Sequence, residues 1–296
     1  ARRIKNIPYD GVIGRATRKL AERAKRLGIP VVNVWFTSPV RNQLPGVFAD
    51  FDASGKMRAE HLLTRGLNRF AAMSCEDRGA KVEVAAFRQV VQESGYPCHV
   101  INLPLDPTRT YATQQKSEAR IEEWMNQWQL PIGIFVYSDD VGRIVAQMIR
   151  HRGWRVPEDV AIITGANEEK ICEHPRPSLT SVELGYERIG YQAAQLLDKL
   201  MRDKGRKSTK AVTPEHILVP PQALVVREST DFYAVDDELV AQALAFIAAN
   251  SHRSIGADDV ASAVNLETRT LQRRFRKILD RPVATEIRRV RIERAK

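Results

Sequence analysis

Cysteine is scarce in this sequence: Cys75, Cys98 and Cys172 are the only three in 296 residues. They are far apart and odd in number, with no CxxC or Cys/His spacing. That excludes a disulfide framework and the common zinc and redox motifs, and reduced, mostly buried thiols of a cytoplasmic protein are expected. Long apolar runs are missing too. No stretch can cross a bilayer as a helix and no charged-then-apolar leader opens the chain, so no membrane partner is expected. Catalytic signatures are also absent: there is no GxGxxG behind a strand, no phosphate loop, no HExxH and no GxSxG. An enzyme is therefore not expected, and no cofactor or metal is called for; adjacent Asp139 and Asp140 read first as helix capping rather than a Mg²⁺ site. No internal repeat or low-complexity tract occurs. There is no initiator Met, and a strand-like stretch at 9–13 follows almost at once, so the sequence is expected to begin inside a longer protein.

What is present is positive charge, unevenly placed. Residues 268–296 hold 11 Lys or Arg against 3 Asp or Glu, a surplus of +8, while the whole chain is +10 and everything before 268 nets only +2. Charge concentrated in this way points to a polyanion, and a phosphate backbone is the usual one because each cationic contact releases condensed counterions. The remainder has the composition of a soluble globular body, long enough for one large or two ordinary domains.

Up to about residue 226, short β-branched runs alternate with longer amphipathic ones. Strands are expected at 11–14, 31–34, 70–73, 99–101, 133–136 and 160–163, with a last pair at 217–219 and 223–226. Helices are expected at 16–27, 56–65, 80–94, 114–128, 141–152 and 186–202. Several end at Gly before an apolar residue, as in Leu27-Gly28-Ile29 and Arg152-Gly153-Trp154, where glycine supplies a left-handed cap. This alternation predicts parallel sheets covered by helices on both faces, with ligands beyond the carboxyl ends of the strands. The stretch 228–237 is polar and helix-poor and reads as a boundary. Beyond it, helices are expected at 238–250, 256–263, 268–279 and from 283 to the end.

Residues 256–279 have helix-turn-helix spacing. Ala261 is small where two crossing helices approach, and Asn265 sits where the turn requires a positive φ. On the second helix Leu271, Phe275 and Ile278 or Leu279 form the core face. Arg269, Gln272, Arg273 and Arg276 are left on the opposite face, where a recognition helix meets the major groove; Arg and Gln are also the side chains that read G and A edges bidentately. The competing reading is a helical bundle with a basic solvated face.

The residues from 238 onward resemble the first half of an arabinose-regulator-type (AraC-type) DNA-binding domain. The resemblance runs through Asp259-Val260-Ala261, Val264-Asn265-Leu266, Leu271-Gln272-Arg273-Arg274-Phe275 and the stretch Arg291-Ile292-Glu293-Arg294-Ala295-Lys296. It implies base contacts for Arg269, Gln272 and Arg273. The chain departs from that family at Asn265, where Gly is usual, and at Glu267, where a Ser cap is usual. It stops inside the long helix joining that family's two helix-turn-helix units, so weak DNA binding is expected of it as it stands.

The residues up to 226 resemble the effector-binding core of lactose-repressor-type (LacI-type) regulators, a periplasmic-sugar-binding-protein fold. The matching stretches include Asp10-Gly11-Val12-Ile13, Ala59-Glu60-His61-Leu62-Leu63, Ala86-Phe87-Arg88, Ser138-Asp139-Asp140, Val156-Pro157-Glu158-Asp159-Val160 and Leu179-Thr180-Ser181-Val182. The join of the two modules, with Arg227-Glu228-Ser229-Thr230-Asp231 leading into the tether, is similar to the family of xylose-operon regulators. That family opens with a further strand–helix unit, which implies a chain truncated at both ends. The resemblance implies a two-lobed α/β core of doubly wound parallel sheets over 1–230, a linker at 231–237 and a small all-α helix-turn-helix domain over 238–296. It also implies a pentose-like sugar, xylose or a relative, in the interlobe cleft. Carboxylates and Asn would hold its hydroxyls and an aromatic ring would cover its apolar face. Asp139 matches the family's ligand Asp, with helix capping as its other reading. Trp35, which otherwise is a packing residue, and Arg15 fall at cleft-lining positions. Glu83 stands where a sugar-holding Arg is usual, with Lys81 nearby as a substitute, and Asn167 or Glu168 inherits the role of a displaced Asp. The expected protein is a homodimeric, sugar-responsive transcription regulator that binds double-stranded operator DNA. The rival is a sugar-binding protein of a transport or sensing system without direct DNA contact.

Overall fold

The computed structural model describes residues 9–104, 110–203, 214–232, 237–279 and 281–295. Its first half alternates strands and helices: β1 (Val12–Gly14), α1 (Arg18–Leu27), β2 (Val31–Asn33), β3 (Gly46–Ala49), α2 (Phe51–Thr64), β4 (Phe70–Cys75), α3 (Arg78–Glu93), β5 (Cys98–Leu103) and α4 (Tyr111–Met125). The second half continues with β6 (Ile132–Val136), α5 (Asp139–His151), β7 (Val160–Thr164), α6 (Glu169–Glu173), β8 (Thr180–Glu183), α7 (Tyr186–Arg202), β9 (His216–Val219) and β10 (Ala223–Val225). Four helices follow: α8 (Glu238–Ala249), α9 (Ala257–Ala263), α10 (Thr268–Leu279) and α11 (Val283–Ala295). The predicted αL cap after α1 is present, with Gly28 at φ 61°.

Two sheets result. The first, in order β1-β2-β3-β9, is parallel throughout; the second, β10-β8-β7-β6-β4-β5, is parallel except that β10 runs antiparallel to β8. Strands β4, β6 and β7 are buried at every residue, as strands covered on both faces must be. One face packs Ile134, Val136 and Ile162 against Ile121, Trp124 and Ile149 of α4 and α5. The other packs Phe70, Phe135 and Ile163 against Leu62 and Phe87 of α2 and α3. The first sheet is covered by Ile189, Ala193 and Leu196 of α7.

Three sequence expectations are corrected. Strand β3 was not expected, because it is four residues long and its partner β9 arrives some 170 positions later (Gly46 opposite His216). Strand β8 was not expected as a strand, since Thr180 and Ser181 are polar; both are fully buried and spend their hydroxyls internally. Helix α2 begins at Phe51 rather than 56, because the Asp50 carboxylate accepts the Ala53 amide (3.0 Å) and caps the first turn.

The last four helices enclose a core of their own, centred on Leu244, Ile247, Val260, Leu271, Phe275 and Val283. Among the described residues no helix is long and apolar enough to cross a membrane. Cys75 and Cys172 are buried, Cys98 is half-buried, and all three are free; burial pushes the Cys98 and Cys172 thiols up to about 12.

Candidate functional site

The carboxyl ends of strands from both sheets meet. Thr37, just beyond β2, donates to the Asp77 carboxylate just beyond β4 (2.7 Å). Phe51, the first residue of α2 just beyond β3, lies so close to Gly79 of α3 that a Cβ there would sit 2.9 Å from its ring. On the first-sheet side Arg15 lies over the Trp35 ring, 4.7 Å from its centre. Both loops hang on fully buried Asn33: its side-chain oxygen accepts the amides of Ala16 (3.1 Å) and Trp35 (3.0 Å), and its Nδ2 donates to the Trp35 carbonyl. Sequence reading brought Arg15 and Trp35 forward but missed Asn33. A polar residue ending an apolar strand was the available signal.

On the second-sheet side Asp139 is 5 % exposed. One carboxylate oxygen accepts from Thr164 Oγ1 (2.6 Å) and Ser181 Oγ (2.9 Å), the other from the amides of Ala166 (3.2 Å) and Glu168 (2.9 Å). A carboxylate offers about four acceptor positions, so its capacity goes to shaping the loop that carries Asn167 and Glu168. The capping alternative does not apply: Ser138 holds the cap position of α5, and Asp139 is the first helical residue.

Glu83 is corrected outright. Its carboxylate is buried against Arg58 of α2, whose side chain is fully buried; the guanidinium also donates to Ser54 and to the carbonyls of Thr164 and Gly165, and lies over the Phe135 ring. Burial pushes the Glu83 carboxyl up against the pull of Arg58, and burial lowers Arg58 in turn. The pair is possible because α2 and α3 touch at Gly55, where a Cβ would fall 2.1 Å from the Glu83 carbonyl oxygen. Lys81, the suggested substitute, pairs on the surface with Glu76. Asn167 is held at φ 58°, and its side-chain oxygen accepts from Arg227 (2.8 Å). Glu168 is exposed and precedes α6. Sequence reading also passed over Tyr186, which opens α7 straight after β8 and is 60 % exposed. Burial of its hydroxyl, and then the charge of Glu83, raise its pKa. An aromatic directly behind Gly185 at a strand end was the missed signal.

In the C-terminal helices the turn forms as its spacing predicts, with Asn265 at φ 54° and the Leu266 amide returning to the Ala261 carbonyl (2.9 Å). Leu271 and Phe275 are fully buried, while Arg269, Gln272, Arg273 and Arg276 are exposed along the opposite face of α10. None of these four, nor Lys277 beside them, has a hydrogen-bond or ion-pair partner among the described residues. Other cations here are structural. Arg274 pairs with Asp237, the cap of α8; Arg281 and Arg289 both pair with fully buried Glu286; Arg291 donates to the Arg253 carbonyl. A groove of about 800 Å³ between α8 and α10 is lined by Leu239, Arg273, Lys277 and Ile278.

Two sheets whose strand ends adjoin, followed by a small helical unit, define the class: a two-lobed α/β fold. A family model described as periplasmic binding protein-like domain matches residues 59–230. The chain belongs to that periplasmic binding protein-like family. It is 30% identical to the xylose operon regulatory protein of Escherichia coli (strain K12), over 99% of this chain and 75% of the relative, and 28% identical to that of Haemophilus influenzae, over 99% and 76%. Among solved structures it is similar to the xylose-binding transcription activator xylR, at TM-score 0.64 and 27% identity over 97% of this chain and 75% of the other. These relatives are transcription regulators, not enzymes.

Proposed function

We propose that this protein is a sugar-responsive transcription regulator. Residues 1–230 form its effector domain, 231–237 its linker and 238–296 a helix-turn-helix module of the AraC type. The observation that carries the reading is the row Arg269, Gln272, Arg273 and Arg276, exposed and without partners among the described residues, opposite a buried apolar face, on a chain whose full-length relatives are named for the xylose operon. Such a helix places base-reading side chains in a major groove while its other face stays packed. The effector is a neutral, pentose-like sugar. Trp35 and Tyr186 supply rings for its apolar face, and Arg15, Asn167 and Glu168 offer donors and acceptors for its hydroxyls. Asp139 and the Arg58–Glu83 pair shape the floor rather than touch the ligand. Binding closes the lobes and shifts a homodimer between two arrangements of its DNA modules, by as much as the sugar's affinity differs between them.

The test is selection of bound fragments from a random DNA library by the full-length protein, with and without D-xylose, L-arabinose or D-ribose. Enrichment of a two-half-site sequence whose recovery depends on one pentose is expected. Recovery without sequence preference in every condition overturns the reading.

A further inference from the structure

Strand β10 leads through Arg227 into a short 3-10 turn, Glu228–Thr230, which is stitched to the second sheet. Ser229 and Thr230 are fully buried. Ser229 Oγ donates to the Ile162 carbonyl of β7 (2.6 Å) and accepts the Thr180 amide of β8 (2.8 Å). Thr230 Oγ1 shares hydrogen bonds with Thr180 Oγ1 (2.7 Å) and with His61 Nε2 of α2 (2.9 Å). At the start of the turn, Glu228 accepts from the amide of Ser178 (2.7 Å) and pairs with Arg176. Helix α8 begins only eight residues after Thr230, so this turn is the last described element of the body before the helical unit.

Arg227 joins that turn to the loop after β7 that carries Asn167. Its amide donates to Thr180 Oγ1 (2.9 Å), Nη1 to the Leu179 carbonyl (3.0 Å) and Nη2 to Asn167 Oδ1 (2.8 Å). Asn167 has little freedom to evade this hold, because its backbone is left-handed and its amide is bound by Ser181 Oγ (3.0 Å). A ligand hydroxyl that donates to the same oxygen must share it with the guanidinium or displace it, and either outcome changes the grip of Arg227.

We infer that Arg227 is a positioning residue that couples Asn167 at the cleft to the Thr180–Thr230–His61 hydrogen-bond chain ahead of the C-terminal helices. The trigger rests on the ligand site proposed above; the linkage itself does not. A hydroxylated ligand at Asn167 loosens or redirects Arg227, and the buried turn shifts with it. Arg227 is bonded both to β8, where the turn is pinned through Thr180, and to the loop after β7, so a change at Asn167 reaches the turn through one side chain.

The experiment is NMR of the His61 ring and the Thr230 methyl at pH 7.5, in the intact chain. The imidazole is neutral there, since burial and then Arg65 and Arg289 hold its pKa well below the ordinary value, so its resonances report hydrogen bonding. Asn167→Gly keeps the left-handed backbone and removes the acceptor. It is expected to move both signals by more than a linewidth with no ligand present, as is Arg227→Met, with the double variant adding nothing to Arg227→Met. Unmoved signals in Asn167→Gly, or additive shifts, overturn the coupling. In the ligand arm D-xylose, L-arabinose and D-ribose are screened by thermal shift. A pentose that raises Tm should move the signals in the unmodified protein and leave them in place in Arg227→Met; equal movement in both overturns the inference. If no pentose raises Tm, the proposed function fails while the Asn167→Gly arm still decides the linkage. Should Arg227→Met not fold, Arg227→Lys, which cannot span both Leu179 and Asn167, takes its place.

Discussion

Arg58 and Glu83 lie 25 positions apart, and neither alone could stay charged where the fold puts it. Moving an ion out of water costs several kcal/mol, recovered only by a well-placed partner and further hydrogen bonds. Arg58 has both, spending its guanidinium on Glu83, Ser54 and two carbonyls at the end of β7. Glu83→Ala leaves that cation buried and unpaired. A loss of about 3–5 kcal/mol is expected, read by calorimetry as a fall in Tm of roughly 10 °C for a domain of this size. The double change Arg58→Met, Glu83→Leu should recover most of it, because apolar groups of similar volume carry no desolvation cost. A Glu83→Ala Tm close to that of the unmodified protein would show that the pair is not closed in solution.

At the scale of elements, α10 divides its cations by register. Arg274 turns toward α8, where it pairs with Asp237. Despite partial burial, that contact and the amides of Val240 and Leu239 hold the Asp237 carboxyl below the usual range. Arg273, one residue earlier, is exposed beside Lys277 at the open groove. The two neighbours should therefore fail differently. Arg273→Ala should leave Tm unchanged and cost about 1–3 kcal/mol on a selected site, with a smaller loss on random DNA. Arg274→Ala should lower Tm by loosening the start of α8, and weaken all DNA equally. Equal loss on both DNAs for Arg273→Ala would reduce it to a phosphate contact. Helix α2 shows the same economy, with Arg58 reaching the Thr164 carbonyl at the end of β7 and His61 one turn later touching Thr230.

Across the whole molecule, the positive surplus is smaller in effect than in count. Arg274, Arg281, Arg289 and Arg291 are committed internally; on α10 itself Arg269, Arg273, Arg276 and Lys277 are exposed. If about four phosphates are neutralised per module, log K should fall against log salt with a slope of about −4 for one module and about twice that for a dimer. Fluorescence anisotropy between low and physiological salt measures it. A flat response would remove the electrostatic argument, and a much steeper one would mean that residues beyond α10 reach the duplex.

Local pattern was enough for much of this. Alternating β-branched and amphipathic runs announced covered parallel strands, because side-chain period and strand burial are written into neighbouring residues. The left-handed Asn265 and the two faces of α10 were legible for the same reason: one turn of helix contains the whole argument. Tertiary structure alone decided the rest. It closed the first sheet with β9, turned Glu83 inward against Arg58, and spent the Asp139 oxygens on Thr164, Ser181, Ala166 and Glu168. The partners in these contacts lie 25 to about 170 positions apart, and a buried charge or a short strand takes its role from whichever distant residue the fold delivers to it.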